Sequence, residues 1–274
     1  MNIQSNVTLN NGVEMPWLGL GVFKAAEGKE VQNAVHAAVE CGYRSIDTAA
    51  VYRNEEGVGS AVKNCGMDRD ELFITTKVWN TEQGYDTTLN AFNESMKKLK
   101  MDYLDLYLIH WVVKDKYLET WKALEKLYQE GYVKAIGVSN FLPHHLDGIF
   151  RESEIVPAVN QVQFHPYHQQ PDLLSYCKSK QIQMEAWSPF AQGKSLHDPV
   201  LQSIADKHGK NVAQVILRWD LQSGVVTIPK SIKPERIRSN ADIFDFQLDE
   251  EDLEQIAKLN RNERLGPDPD HVEF

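Results

Sequence analysis

The sequence lacks a basic surplus, a long apolar run and a paired set of cysteines. Lys and Arg number 29 against 39 Asp and Glu, a formal net charge of −10, which argues against nucleic-acid binding because that requires a basic surface. No apolar stretch approaches the ~18 residues of a membrane span, and the first residues carry no secretory signal pattern. We therefore expect a cytoplasmic protein that binds neither nucleic acid nor membranes.

The three cysteines, Cys41, Cys65 and Cys177, are odd in number and widely separated. Their spacing matches neither a zinc site nor a disulfide framework. We expect all three to be reduced, and we expect no bound metal.

Short apolar, β-branched runs alternate along the chain with amphipathic helical patterns. Eight such runs cover residues 18–22, 44–48, 72–77, 104–109, 133–138, 158–162, 182–187 and 225–228. Eight strand–helix units in about 250 residues are typical of a closed (β/α)8 TIM barrel, here one α/β domain over residues 1–274. The alternative is an open doubly wound sheet, which usually has G-x-G-x-x-G after its first strand. Gly19-x-Gly21 lacks the third glycine, which favours the barrel.

Residues 7–15 precede the first of these runs and predict a β-hairpin. Asn11-Gly12 lies between two short apolar runs, a pattern that favours a two-residue turn. Such a hairpin can close the bottom of the barrel. Residues 188–210 are too long for a simple turn, and residues 199–204 within them predict an extra short helix.

Four polar side chains lie where predicted strands end. Asp47 ends the second run and is followed by Tyr52 in a loop, Lys77 ends the third run, and His110 follows the fourth. Each has an ordinary structural explanation, as a helix cap, surface residue, edge charge or core histidine. Together, at adjacent strand exits of a barrel, they indicate an active site.

These side chains suit the reduction of a carbonyl group. Its oxygen needs a proton as hydride reaches the carbon, and a phenol with a pKa near ~10 is too weak an acid at neutral pH. An adjacent ammonium stabilises phenolate. We therefore interpret Tyr52 as the acid, Lys77 as the group that tunes it, Asp47 as the anchor of Lys77, and His110 as the group that orients the substrate.

Motifs along nearly the whole chain resemble those of the aldo-keto reductase family. They are GYRSIDTA at 42–49 with Tyr52, TKVW at 76–79, DLYLIHW at 105–111, GVSNF at 137–141, NQV at 160–162 and IPKS at 228–231. The resemblance is to a bacterial branch that contains glyoxal or methylglyoxal reductases and 2,5-diketogluconate reductases. It implies a (β/α)8 barrel that binds NADPH at its mouth without a Rossmann domain.

The resemblance assigns the nicotinamide end of the cofactor to five residues. Ser139, Asn140 and Gln161 would hydrogen-bond the carboxamide, and Trp187 would stack on the ring with Ser188 beside it. Much of the family has tyrosine where Trp187 stands. An aromatic face against a flat heterocycle is physically reasonable.

A second cluster would bind the adenosine end. Lys230 and Arg236 lie within six residues of each other next to the hydroxyl of Ser231, a set that suits a phosphate dianion. The resemblance places the 2′-phosphate there and the adenine at Asn240, which favours NADPH over NADH. Ser239 departs from the family pattern, which commonly has glutamate at this position.

Three aromatic residues, Phe23, Trp79 and Trp111, follow strand ends and should form the rim of a substrate pocket. Val112 stands where the family often has proline, which affects the local loop shape. Residues 264–274 form a short tail after the last helix, whereas longer family tails cover the pocket. A short tail predicts an open site that prefers small aldehydes and dicarbonyls.

The sequence thus predicts a monomeric, NADPH-dependent reductase of aldehydes, ketones and α-dicarbonyls. Alternatives within the family are a 2,5-diketogluconate reductase and a prostaglandin-type ketone reductase. A nucleotide-sensing module without turnover is a third possibility. A metal-dependent hydrolase would need clustered ligands, but His165 and His168 have no matching carboxylates beside them in the sequence.

Overall fold

The computed structural model describes residues 1–272, which form a barrel of parallel strands surrounded by helices. A hairpin of β1 (Asn6–Thr8) and β2 (Glu14–Pro16) precedes the barrel strands β3 (Gly19–Gly21), β4 (Ser45–Asp47), β5 (Phe73–Val78), β6 (Leu104–Ile109), β7 (Val133–Ser139), β8 (Val159–Gln163), β9 (Gln183–Trp187) and β10 (Val226–Thr227). The helices are α1 (Lys29–Glu40), α2 (Glu55–Asn64), α3 (Tyr85–Leu99), α4 (Tyr117–Gln129), α5 (Pro143–Glu152), α6 (Pro171–Ser179), α7 (Pro199–His208), α8 (Val212–Gln222), α9 (Pro234–Ala241) and α10 (Glu250–Ala257).

The barrel strands pair in chain order from β3 to β10. Bridges between Leu18 and Thr227 and between Gly21 and Lys230 join the first strand to the last, so the barrel closes. The predicted barrel is confirmed, and each strand overlaps its predicted run to within one or two residues. Because all strands run in the same direction, their carboxyl ends meet at one mouth.

Side chains that alternate between the two faces of each strand divide the core into two layers. On β6, Leu106 and Leu108 face the barrel interior, in a cluster with Val159 and Val226. Tyr107 on the same strand faces outward, into the larger cluster beneath the helices. Since side chains in a strand alternate between its faces, each strand supplies both layers at once.

The hairpin closes the barrel bottom as predicted, but its turn differs from the prediction. Leu9 N–H donates to Val13 O at 2.8 Å, and Gly12 N–H donates to Leu9 O at 2.9 Å. Three residues therefore connect the strands, with Gly12 at φ +85°, so the predicted two-residue turn is wrong. A three-residue loop with glycine in the left-handed region retains the strand twist equally well, and Met15 is then fully buried in the interior cluster.

Two α-helices follow β9 before the last barrel strand. The predicted short helix is confirmed as α7, which is longer than residues 199–204 and begins at the cap Asp198. The next helix, α8, begins after Asn211, whose side chain accepts a hydrogen bond from Gln214 N–H. Among residues 1–272, no helix combines the length and apolar character needed to cross a membrane.

Candidate active site

Three neighbouring strands bring the four predicted catalytic side chains to the barrel mouth. Asp47 ends β4, Lys77 lies near the end of β5, and His110 follows β6 directly. Tyr52 ends a one-turn 3-10 helix, Ala50–Tyr52, that follows β4. These strands are adjacent in the sheet, so side chains far apart in the sequence share one site.

A buried ion pair lies beneath the mouth. Lys77 Nζ donates to both carboxylate oxygens of Asp47, at 2.6 and 2.7 Å, and to Thr48 O at 2.8 Å. Burial alone would lower the pKa of Lys77, but Asp47, Tyr52 and Glu185 together outweigh it and raise that pKa above its usual value. Lys77 therefore remains charged near neutral pH.

Tyr52 and His110 lie above this pair with their rings 5.7 Å apart, edge to face. Burial raises the pKa of Tyr52 above its usual value, and the charge of Lys77 opposes this rise. The phenol therefore keeps its proton at neutral pH. Burial, aided by Lys77, lowers the pKa of His110 well below its usual value. His110 is therefore an uncharged imidazole at neutral pH. It can orient a ligand through a hydrogen bond, but it is too weak an acid to transfer a proton.

The predicted aromatic rim surrounds these two rings. Phe23 lies 5.0 Å from Tyr52 and remains 51% exposed, so this side of the mouth is open to solvent. The ring of Trp79 lies 5.1 Å from that of His110. Trp111 packs against Trp187 at 6.5 Å, and so connects the rim to β9.

The exits of β7, β8 and β9 are linked by hydrogen bonds. Asn140 Oδ1 accepts from Trp187 Nε1 at 2.9 Å, and Asn140 Nδ2 donates to His110 O at 3.0 Å. Ser139 Oγ donates to the backbone oxygen of Gln161 at 2.8 Å. The structure therefore brings four of the predicted nicotinamide residues together. It also shows that Asn140 holds the indole of Trp187 in place.

The predicted adenosine-end residues lie beyond β10. Lys230 and Arg236 are exposed, and neither pairs with a carboxylate among residues 1–272. Asn240 lies one turn after Arg236 on α9, on the same helix face. Ser239 Oγ instead accepts from Asn211 Nδ2 at 2.9 Å, next to the cap of α8.

Two other predicted residues occupy turns near these groups. Ser231 Oγ accepts from Lys233 N–H at 3.1 Å, which shapes the turn before α9. Ser188 follows Trp187 with φ +54°, so the chain changes direction where β9 ends.

One buried residue escaped the sequence prediction. Glu185 lies beside Gln161 in the β8–β9 pairing, and Gln161 Nε2 donates to Glu185 Oε2 at 2.7 Å and to Asp47 Oδ2 at 2.8 Å. A signal was present in the sequence, since Glu185 is an acid inside an apolar strand. It also lies two residues before Trp187 and therefore on the same strand face.

The tail reaches the site through its backbone. Leu265 N–H and Gly266 N–H donate to Gln163 Oε1 at 3.1 and 2.9 Å. Further along, Asp270 Oδ1 lies 2.7 Å from His144 Nε2 and 3.1 Å from His145 Nε2, at the start of α5. Within residues 264–272, the tail therefore contacts the Trp187 side of the mouth. Residues 273 and 274 lie outside the described residues.

Replacing Gly266 with alanine should disturb this contact. The new Cβ would lie 2.8 Å from Cη2 of Trp187, whose ring cannot turn away without losing its hydrogen bond to Asn140. We expect a loss of stability of about 1–3 kcal/mol, as for overpacking, and a changed tryptophan emission. Chemical denaturation and fluorescence measure both, with His271→Ala as the control because His271 is 82% exposed. Wild-type behaviour of Gly266→Ala would show that the tail does not press on the indole.

These groups together can perform acid chemistry on a bound carbonyl compound. The phenol of Tyr52 can deliver a proton as negative charge develops on an oxygen. The charge of Lys77 stabilises the phenolate that remains. The half-buried indole of Trp187 offers a face for a flat ring, and two unpaired cations offer a place for a phosphate.

The amino-acid sequence of the chain is similar to those of known proteins. A family model described as the aldo/keto reductase family matches residues 17–261. The chain is 61% identical to the glyoxal reductase of Bacillus subtilis (strain 168) over 273 residues, which cover 100% of this chain and 99% of that protein. It is 50% identical to the methylglyoxal reductase DkgA of Escherichia coli (strain K12) over 268 residues, 96% of each chain.

Solved structures show the same similarity. A crystal structure of a Gox0644 mutant in complex with NADPH superposes with a TM-score of 0.95 at 44% identity, covering 99% of each chain. A deep-sea metagenome aldo-keto reductase superposes with a TM-score of 0.96 at 48% identity, covering 98% of this chain and 100% of that one.

Proposed function

Because the chain belongs to the aldo/keto reductase family, we propose that it reduces aldehydes, ketones and α-dicarbonyls such as glyoxal and methylglyoxal to alcohols. NADPH is the reductant and Tyr52 is the proton donor. The observation that carries this proposal is the buried Lys77–Asp47 pair directly beneath Tyr52 and His110. Similarity to glyoxal and methylglyoxal reductases supports the substrate class.

The residues divide the work between orientation and proton transfer. Bound NADPH supplies a hydride to the carbonyl carbon. His110, uncharged at neutral pH, orients the carbonyl oxygen beside the hydroxyl of Tyr52. As that oxygen gains negative charge it becomes much more basic than a phenolate, so Tyr52 can protonate it. Lys77 stabilises the resulting phenolate, and Asp47 keeps Lys77 charged and in place.

The residues present fit the cofactor at both ends. Trp187 offers its ring at the mouth, and the side-chain oxygen of Gln161, Oε1, receives no hydrogen bond among residues 1–272, so it can accept one from the carboxamide. Ser139, Asn140 and Ser188 lie at the same strand exits. Lys230, Ser231 and Arg236 would hold the 2′-phosphate, with Asn240 at the adenine.

A substrate panel tests the activity directly. NADPH oxidation is followed with glyoxal, methylglyoxal, a simple aldehyde and a 2,5-diketo sugar acid, and NADH is run alongside. We expect turnover with NADPH on the small dicarbonyls. Cofactor binding without turnover on any carbonyl would favour a nucleotide-sensing role instead.

Removing Lys230 or Arg236 should weaken binding of NADPH selectively. A hydrogen bond to a charged group contributes about 1.5–3 kcal/mol, so each alanine variant should raise the Kd for NADPH by about tenfold or more. The Kd for NADH should barely change, because NADH lacks the 2′-phosphate. Fluorescence titration measures both, with the exposed Lys258→Ala as the control. Equal weakening for both cofactors would place the 2′-phosphate elsewhere.

We also propose that the enzyme acts as a monomer in the cytoplasm. One chain carries all of the proposed catalytic and cofactor residues, which supports a monomer. The three cysteines are unpaired, which supports a reducing compartment. Sedimentation and cell fractionation test the two statements.

A further inference from the structure

The amide of Gln161 lies between two carboxyl groups inside the barrel. Its Nε2 donates to Asp47 Oδ2 at 2.8 Å on one side and to Glu185 Oε2 at 2.7 Å on the other. Glu185 is fully buried, and Gln161 and Asp47 are each 2% exposed. Both amide protons of Gln161 are therefore used within the protein.

This arrangement determines which end of the amide faces inward. Both oxygens of Asp47 accept hydrogen bonds from the Lys77 ammonium, and a carboxylate in an ion pair only accepts hydrogen bonds. The amide atom beside it must therefore be the nitrogen. The side-chain oxygen of Gln161, Oε1, is left without a donor among the described residues, so the Gln161 side chain can act toward a ligand only as an acceptor.

Charge balance indicates the protonation state of Glu185. Lys77 and Asp47 already cancel each other, so an ionised Glu185 would leave a net negative charge in the barrel interior, where charges are costly. Burial, reinforced by the charge of Asp47, raises the pKa of Glu185 to about 8, against the hydrogen bond from Gln161 and the charge of Lys77. Glu185 is therefore an uncharged acid at neutral pH.

We propose that Glu185 is a positioning residue for the cofactor: with Asp47 it holds the Gln161 amide so that the Gln161 carbonyl receives the amide protons of the nicotinamide carboxamide. This inference rests on the proposed function, because it needs the nicotinamide at the mouth. It adds a residue outside the strand exits and links seating of the cofactor to the Lys77–Asp47 pair.

The first experiment compares two cofactors that differ only at the carboxamide. In the 3-acetylpyridine analogue of NADPH a methyl group replaces the amide nitrogen, so the analogue cannot donate to Gln161. We expect Glu185→Met to reduce the preference for NADPH over the analogue by about 3- to 10-fold, the size of one hydrogen bond. Glu185→Gln, whose carbonyl can still accept from Gln161, should retain the wild-type preference. Fluorescence titration measures the dissociation constants of both cofactors for each protein without turnover.

Asp220→Asn is the matched control. Asp220 is another fully buried acid, bonded to Thr227 Oγ1 at 2.7 Å and outside the proposed site, so its variant should keep the preference. An unchanged preference in Glu185→Met, or a wild type that does not distinguish the two cofactors, would overturn the inference. A wild type that binds NADPH with this preference but reduces no carbonyl would overturn the proposed function alone.

The second experiment uses pH and needs no disruptive variant. Above about pH 8 Glu185 ionises, and its charge, like that of Asp47, raises the pKa of Tyr52. Tyr52 then gives up its proton less readily, so kcat for reduction should fall on the alkaline side. Glu185→Gln should move this alkaline limb to higher pH, and Asp220→Asn should not.

Infrared spectroscopy of the protein without cofactor detects whether the Glu185 carboxyl group carries a proton. At pH 7 the wild type should show a protonated-carboxyl band that Glu185→Gln lacks, and the band should disappear as the pH rises above 8. An identical band in the two proteins would show that Glu185 is ionised, and would overturn its role as an uncharged acid even if Glu185→Met fails to fold.

Discussion

Tyr52→Phe should lower kcat for dicarbonyl reduction by about 10²- to 10⁴-fold, the usual contribution of a positioned general acid. Only the hydroxyl is removed, so the ring contacts with Phe23 and His110 remain. No other described group can replace it, because His110 at the same mouth is uncharged at neutral pH. The Kd for NADPH and the unfolding free energy should stay close to wild type. Stopped-flow reduction of methylglyoxal separates the chemical step from binding.

Tyr132→Phe provides the matched control for Tyr52→Phe. Tyr132 is 48% exposed and lies immediately before β7, at the opposite end of the barrel from the mouth. Its loss should leave kcat unchanged. If Tyr52→Phe retained most of the wild-type turnover, the proton would have to come from another source, and the proposed mechanism would be wrong.

Lys77→Met should reduce both activity and stability. Lys77 is fully buried and holds three short hydrogen bonds, two of them to Asp47. Its removal leaves the Asp47 carboxylate buried without a counter-charge, a change that costs about 3–5 kcal/mol in comparable cases. Activity should fall as well, because Tyr52 loses the charge that lowers its pKa. Urea denaturation and steady-state kinetics measure the two effects.

A double-mutant cycle separates the structural role of this pair from its chemical role. Lys77→Met combined with Asp47→Asn removes both charges, so it should recover much of the stability lost in the single variant. It should not recover activity, since the stabiliser of the phenolate is still missing. A double variant no more stable than Lys77→Met would contradict this account. Lys122→Met, which breaks an exposed pair with Glu119, is the control and should change stability little.

Local patterns were sufficient to predict the barrel and the positions of the proposed catalytic side chains. Alternation of apolar residues and helical periodicity are properties of neighbouring residues, so all eight strands were predicted to within one or two residues. Asp47, Lys77 and His110 could be identified because each is a polar residue at the end of an apolar run. The fold then guarantees that such ends converge.

The three-dimensional structure alone revealed the contacts between residues that are distant in the chain. In the sequence, Glu185 is an acid inside an apolar strand, with no indicated role. The structure shows that the Gln161 amide links it to Asp47, which lies 114 residues before Gln161. The contact of Gln163 with the tail spans a similar distance, and it shows that a short tail still reaches the mouth. Periodicity determines which face a side chain occupies. It does not determine which side chain that residue contacts, because the contact depends on how the barrel closes.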